Sequence, residues 1–230
     1  MILVLNLKMN LTKNTILEYE KAIHNKNVIV MPQYPYLLFF NRGKYSLGSQ
    51  DVSKFAKGSY TGEVCAKGLR CLGVKYVLVG HSERKEHFHE DEYDFKKKME
   101  NVINNDMIPI YCVNQTSEEY ENDKELSKIE EQLEAIPTNC RYIIIAYEPS
   151  YMIGNIENKE ILDKEHLQKV ITKIKDYLME RNINHSILYG GGVDEEIISY
   201  LKDLNLDGYI MSSSALDISK LNSICKMLDV

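Results

Sequence analysis

A lysine, a histidine and a glutamate each stand at the end of a short apolar run, and together they can move a proton. Lys8 follows Val4 and Asn6 at a period of two, on one face of the run that begins at Ile2. His81 follows Tyr76-Val77-Leu78-Val79-Gly80. Glu148 follows Ile143-Ile144-Ile145-Ala146-Tyr147, and Pro149 ends that strand. A carboxylate with a raised pKa is a good base near neutrality. A neutral imidazole polarises a carbonyl, and a lysine supplies positive charge to an oxyanion or a phosphate. Two further runs end in Gly190-Gly191-Gly192 and Ser212-Ser213-Ser214. The glycines let backbone N–H groups come close to an anion. Each feature alone also fits a chain turning polar as it leaves a sheet. Their convergence is informative, because partly burying several charges at one place is costly without compensation. The set suits proton abstraction beside the carbonyl of an anionic substrate.

Such residues need a scaffold that brings strand ends together. The apolar runs are Ile2–Leu7, Val28–Met31, Ser46–Ser49, Tyr76–Val79, Ile108–Val113, Tyr142–Tyr147, Ser186–Tyr189 and Gly208–Met211. Most lack clean apolar–polar alternation, which predicts parallel strands covered on both faces. Amphipathic stretches lie between them. Asp91–Asn104 places Phe95, Met99, Val102 and Ile103 on one side. Lys164–Arg181 carries a stripe of Leu167, Val170, Ile171, Ile174 and Leu178, with Asp163 at the N-cap position. Strand–helix alternation implies right-handed βαβ crossovers. Eight units in 230 residues fit one α/β domain, residues 1–230, folded as a closed (β/α)8 barrel. A doubly wound open sheet is the alternative, but it usually carries a glycine-rich loop after its first strand. Here that strand leads into Asn6-Leu7-Lys8-Met9-Asn10.

Composition narrows the partners. The hydrophobic share of 44% and charged share of 27% are ordinary for a folded domain. A net charge of −6 speaks against a nucleic-acid partner, which calls for a basic surface. Lys96-Lys97-Lys98 reads as a solvated helix face, and His87-Phe88-His89-Glu90-Asp91 as a polar loop before a helix rather than a metal site. No apolar run reaches the ~18 residues of a membrane span, and the N-terminal run lacks the features of a signal peptide. The five cysteines are odd in number with no CxxC spacing, so a reducing cytoplasm is expected, with no disulfide or zinc.

The motifs also resemble the triosephosphate isomerase family along nearly the whole chain. Asn6-Leu7-Lys8-Met9-Asn10 is similar to its N-W-K-M-N segment, and Gly48–Ser53 with Gly58–Val64 to its third-loop pair. Val79-Gly80-His81-Ser82-Glu83-Arg84 is similar to the G-H-S-E-R signature. Ala146-Tyr147-Glu148-Pro149 with Ile153-Gly154 is similar to the lid segment, and Tyr189-Gly190-Gly191 and Asp207-Gly208-Tyr209 to the phosphate-side loops. The resemblance implies a TIM barrel that interconverts dihydroxyacetone phosphate and D-glyceraldehyde 3-phosphate without cofactor or metal. Glu148 would be the base and His81 the electrophile; Lys8 would offset charge, Asn6 orient the site and Glu83 support it. Gly154, Gly192, Ser212 and Ser213 take the phosphate-contact positions, and Pro149 to about Ile156 the lid. Thr61 would enter a partner subunit's site, implying a homodimer.

Six residues in four places depart from the family pattern. Gly192 replaces a serine, Ile156 a lid glycine, Ser212-Ser213 a Gly-Gly pair, and Asn114-Gln115 a Gly-Glu pair. These departures leave two alternatives open: an isomerase of another small sugar phosphate, such as a four-carbon one, or a non-catalytic paralogue.

Overall fold

Near-continuous aliphatic runs need apolar cover on both faces, and a closed barrel wrapped in helices supplies it. The computed structural model describes residues 1–10, 13–40, 44–116, 118, 125–149 and 163–230. Its strands are β1 (Ile2–Asn6), β2 (Val28–Met31), β3 (Ser46–Ser49), β4 (Tyr76–Val79), β5 (Ile108–Val113), β6 (Tyr142–Tyr147), β7 (Asn184–Tyr189) and β8 (Gly208–Met211). All pair in parallel in sequence order, and β1 returns to β8. The closing seam runs from Ile2 opposite Gly208 to Leu5 opposite Met211. A Cβ on Gly208 would sit on the Ile2 carbonyl oxygen, so glycine there lets the last strand meet the first.

The helices among the described residues are α1 (Lys13–Ala22), α2 (Ala66–Cys71), α3 (Ser82–Phe88), α4 (Glu92–Ile103), α5 (Glu125–Leu133), α6 (Lys164–Glu180), α7 (Glu195–Leu201) and α8 (Ile218–Leu228). Two 3₁₀ turns, Tyr34–Phe39 and Ser213–Leu216, complete the set. None of these helices is long and apolar enough to cross a membrane. The fold is the single-domain (β/α)8 barrel that the alternation predicts.

Side-chain alternation along the strands makes two cores. Val4, Ile29, Met31, Leu78, Ile110, Ile144, Leu188 and Ile210 fill the barrel interior. The intervening residues, among them Leu3, Leu5, Val77, Val79, Ile143 and Ile145, pack outward on Phe95, Met99, Leu167, Ile171 and other helix residues. Asp163 caps α6, accepting from the N–H groups of Glu165 at 2.9 Å and His166 at 3.3 Å.

Three local readings change. β7 begins at Asn184, two residues early, because these polar residues pair through backbone with Tyr142 and Ile143 of β6. His87 and Phe88 belong to α3, whose C-cap is the left-handed His89. Lys98 is buried rather than solvated and binds Asp51 and Glu90, each at 2.6 Å. Successive helix residues are separated by about 100° around the axis, so three adjacent lysines cannot share one exposed face.

Candidate active site

Val4 lies in the barrel interior, so Asn6, two residues on, rises on the same face to the mouth of β1. Asn6 is buried and its Oδ1 accepts the Lys8 N–H at 3.3 Å. Lys8 has φ of 45°, a left-handed conformation that costs a side-chain-bearing residue roughly 1–2 kcal/mol. Its carbonyl accepts from Gln50 Nε2 at 3.0 Å, and the same amide donates to the Met31 carbonyl at 2.9 Å. The strained lysine is thus fastened at its N–H, its carbonyl and its side chain, whose Nζ meets Glu83 Oε1 at 2.6 Å. Burial works against the Glu83 charge. The hydrogen bond from Lys8, with His81 and Lys8 nearby, nevertheless holds this carboxyl below its usual range.

At the end of β4 the chain turns through Gly80, and His81 becomes the N-cap of α3. Its Nδ1 accepts the Glu83 N–H at 3.2 Å. An imidazole nitrogen that accepts carries no proton, so the neutral ring holds its hydrogen on Nε2. Glu83 Oε2 lies 3.7 Å from Nδ1, too far to displace that amide. Nε2 lies 3.4 Å from Glu148 Oε2.

Glu148 follows β6 and donates its backbone N–H to the Val113 carbonyl at 2.9 Å. The side chain is buried, and Oε2 has no hydrogen-bond partner among the described residues. Burial pushes the carboxyl above its usual range; His81 and Lys8 pull it back only in part, and Glu83 adds to the rise. Tyr147, just before it, donates its hydroxyl to Gln115 Oε1 at 2.8 Å.

Gly190 makes room for this carboxylate. A Cβ there would strike Ile210 Cγ2 and lie 2.8 Å from Glu148 Cγ and 3.1 Å from its Oε1. We expect Gly190→Ala to displace the carboxylate and lower kcat about 10²-fold, the cost of misplacing a reacting group by about 1 Å. Steady-state kinetics check this: a parent-like kcat would show that the carboxylate tolerates the crowding.

Lys8, His81 and Glu148 line one cavity of about 320 Å³ with Gly192, Ser212 and Ser213. That volume is at the small end of ligand pockets. Gly192 has φ of 55°, and Ser212 precedes the 3₁₀ turn Ser213–Leu216, whose first N–H groups lack partners within the turn. The cavity therefore has an acid–base end and an end suited to an anion. Gly154 and the lid residues 150–156, including Ile156, lie outside the described residues. Two residues that local spacing did not single out also belong here. Asn10 lines the cavity, and Gln50 holds Lys8 from 42 residues away, so only the closed barrel reveals its role.

A family model described as Triosephosphate isomerase matches residues 1–228. A Mesomycoplasma hyorhinis protein named triosephosphate isomerase is 34% identical over 244 residues, covering 99% of this chain and 97% of that protein. Proteins of the same name from Mycoplasma capricolum and Wolbachia pipientis are 33% and 31% identical. They cover 92% and 99% of this chain, and 92% and 94% of their own lengths.

Proposed function

The chain belongs to the triosephosphate isomerase family, and we propose that Glu148 and His81 carry the proton transfers of its reaction. It is an isomerase that interconverts dihydroxyacetone phosphate and D-glyceraldehyde 3-phosphate. The observation that supports these roles is the 3.4 Å approach of His81 Nε2 to Glu148 Oε2 at the wall of the cavity that Lys8 also lines.

Glu148 takes a proton from C1 of the ketose, and the electrons move into an enediolate. His81 donates its Nε2 hydrogen to the developing oxyanion while Lys8 offsets the negative charge. Glu148 then returns the proton to C2 while the C1 hydroxyl gives its hydrogen back to His81 Nε2, so that C1 becomes the aldehyde carbonyl and both side chains regain their starting states. A glutamate base beside a neutral histidine is a pattern already established for this family's reaction. The two sugars are isomers at the same oxidation level, so the chemistry calls for proton transfer alone, with no cofactor or metal. Asn6 orients the Lys8 backbone, and Glu83 positions Lys8 and His81. Gly192, Ser212 and Ser213, with Gly154 by its place in the lid motif, hold the phosphate. The lid excludes water from the enediolate.

A coupled assay of the purified chain on glyceraldehyde 3-phosphate tests the assignment. Turnover far above background that disappears in His81→Asn is expected; an unaffected variant would remove His81 from the role. A clear triose preference over a four-carbon sugar phosphate is expected as well.

The assembly we propose is a homodimer joined through the loop carrying Thr61. Residues 55–63 are exposed, and Phe55 and Tyr60 stack at 3.7 Å with ring planes 3° apart. Phe88, also exposed, lies under the Arg84 guanidinium at 3.9 Å. Exposed aromatic surface of this kind is typical of an interface core. Sedimentation at micromolar concentration should give a species of twice 26.6 kDa; a single 26.6 kDa boundary would discard the dimer. All five cysteines are free thiols, which supports a cytoplasmic location.

A further inference from the structure

We propose that Ser214 is a positioning residue for the phosphate end of the cavity, fastening the loop after β7 to the loop after β8. This rests on the isomerase reading above. The β7–β8 ladder joins Leu188 to Gly208 and Tyr189 to Tyr209, and the paired residues end there. Beyond it the first loop passes through Gly190, Gly191 and Gly192, the last at φ of 55°. Three glycines in succession leave the backbone much freedom, and holding them in one conformation is entropically costly. Val193, the next residue, is buried, and its carbonyl accepts the Ser214 hydroxyl at 2.6 Å.

The opposite loop is itself anchored. Ser214 lies inside the 3₁₀ turn Ser213–Leu216. The Ala215 N–H donates to the Ser212 carbonyl at 3.1 Å, and the Tyr19 hydroxyl of α1 donates to the Ala215 carbonyl at 2.8 Å. A fixed turn therefore holds the end of a glycine run. Gly192 on one side and Ser212 and Ser213 on the other line the same cavity, so their spacing sets the fit to an anion. Gly192 stands where the resembling family carries serine. Ser214 ties down the residue next to it from across the cleft.

A fastener of this kind acts on anion binding rather than on proton transfer, and that separates it from a general structural role. Inorganic phosphate is the probe, as a competitive inhibitor. Ser214→Ala should raise the phosphate inhibition constant, and the KM for glyceraldehyde 3-phosphate, about five- to tenfold, the size expected for one lost hydrogen bond. Its kcat should stay within about twofold. Ser214→Thr, which keeps the hydroxyl, should return both constants close to the parent values. Unchanged phosphate inhibition in Ser214→Ala would overturn the proposal. So would an equal loss of activity on phosphorylated and unphosphorylated glyceraldehyde that Thr fails to restore. If direct titration shows that the parent chain binds inorganic phosphate more tightly than Ser214→Ala does, yet the parent does not isomerise the triose, the fastening stands and the isomerase reading falls.

Discussion

Glu148→Gln is expected to abolish isomerisation and at the same time to make the chain more stable. Removing a positioned general base lowers turnover by ~10²–10⁴-fold. The gain in stability comes from the same burial that makes the base useful. Glu148 Oε2 has no hydrogen-bond partner among the described residues, and burial holds the carboxyl above its ordinary range. A folded-state pKa above the unfolded one means that folding disfavours the ionised form. This penalty is present at high pH and is relieved as pH falls through the folded value. Gln carries no charge, so at neutral pH the variant escapes the cost of holding an ionised carboxylate out of water. Activity follows the opposite sign. The parent needs the ionised base, so kcat/KM falls as pH drops through that same elevated value, above the range of a free carboxylate. Urea denaturation of parent and variant at neutral and mildly acidic pH, beside the coupled assay, separates the effects. The stability difference should narrow in acid. A variant with parent-like turnover, or one less stable than the parent at neutral pH, would sink the account.

How far the site was legible in the sequence follows from how far each interaction reaches along the chain. Strand positions could be read because an aliphatic run with both faces covered leaves its own pattern, as at Tyr76–Val79 and Tyr142–Tyr147. The inward register of β1 could be read too, since Val4 and Asn6 share a face by period two, whereas Lys8 lies beyond the strand at φ of 45° and reaches the mouth through that turn. The state of His81 could not. Its tautomer depends on an N–H from the first turn of α3, and only the cap geometry supplies that partner. Gly190 shows a right residue with an incomplete reason. The glycine run suggested close approach to an anion, whereas at this position glycine clears space for Glu148 and Ile210. Gln50 and Ser214 left no local pattern because each acts on a carbonyl of another loop, at Lys8 and at Val193. Spacing along the chain found the groups expected to react; the groups that hold them needed the closed barrel.

Lys8→Met should lower kcat/KM by ~10²–10³-fold, the range for removing one preorganised oxyanion-stabilising group, and should also move the acid limb of the pH profile. Burial is the main influence raising Glu148, and Lys8 is one of two groups pulling it back. Without that charge the Glu148 carboxyl rises further, so activity is lost at a higher pH than in the parent. Glu83 changes as well. Its folded pKa lies below its ordinary value despite burial, because Lys8 donates a 2.6 Å hydrogen bond to it. A lowered carboxylate stabilises the fold above its unfolded pKa, and that contribution is lost as pH falls through the folded value. In the Met variant this dependence should weaken, since Glu83 returns toward the value of a free carboxyl. The backbone at position 8 separates charge from strain. Met keeps a side chain at φ of 45° and so keeps the conformational cost, whereas Lys8→Gly removes the charge and the cost together. The Gly variant should therefore be as inactive as the Met variant yet more stable, by about 1 kcal/mol. Two inactive variants with different stabilities and the same displaced acid limb would mean that the lysine acts through its charge and that the fold tolerates a strained turn to place it. An acid limb left where the parent has it would remove Lys8 from the field acting on Glu148.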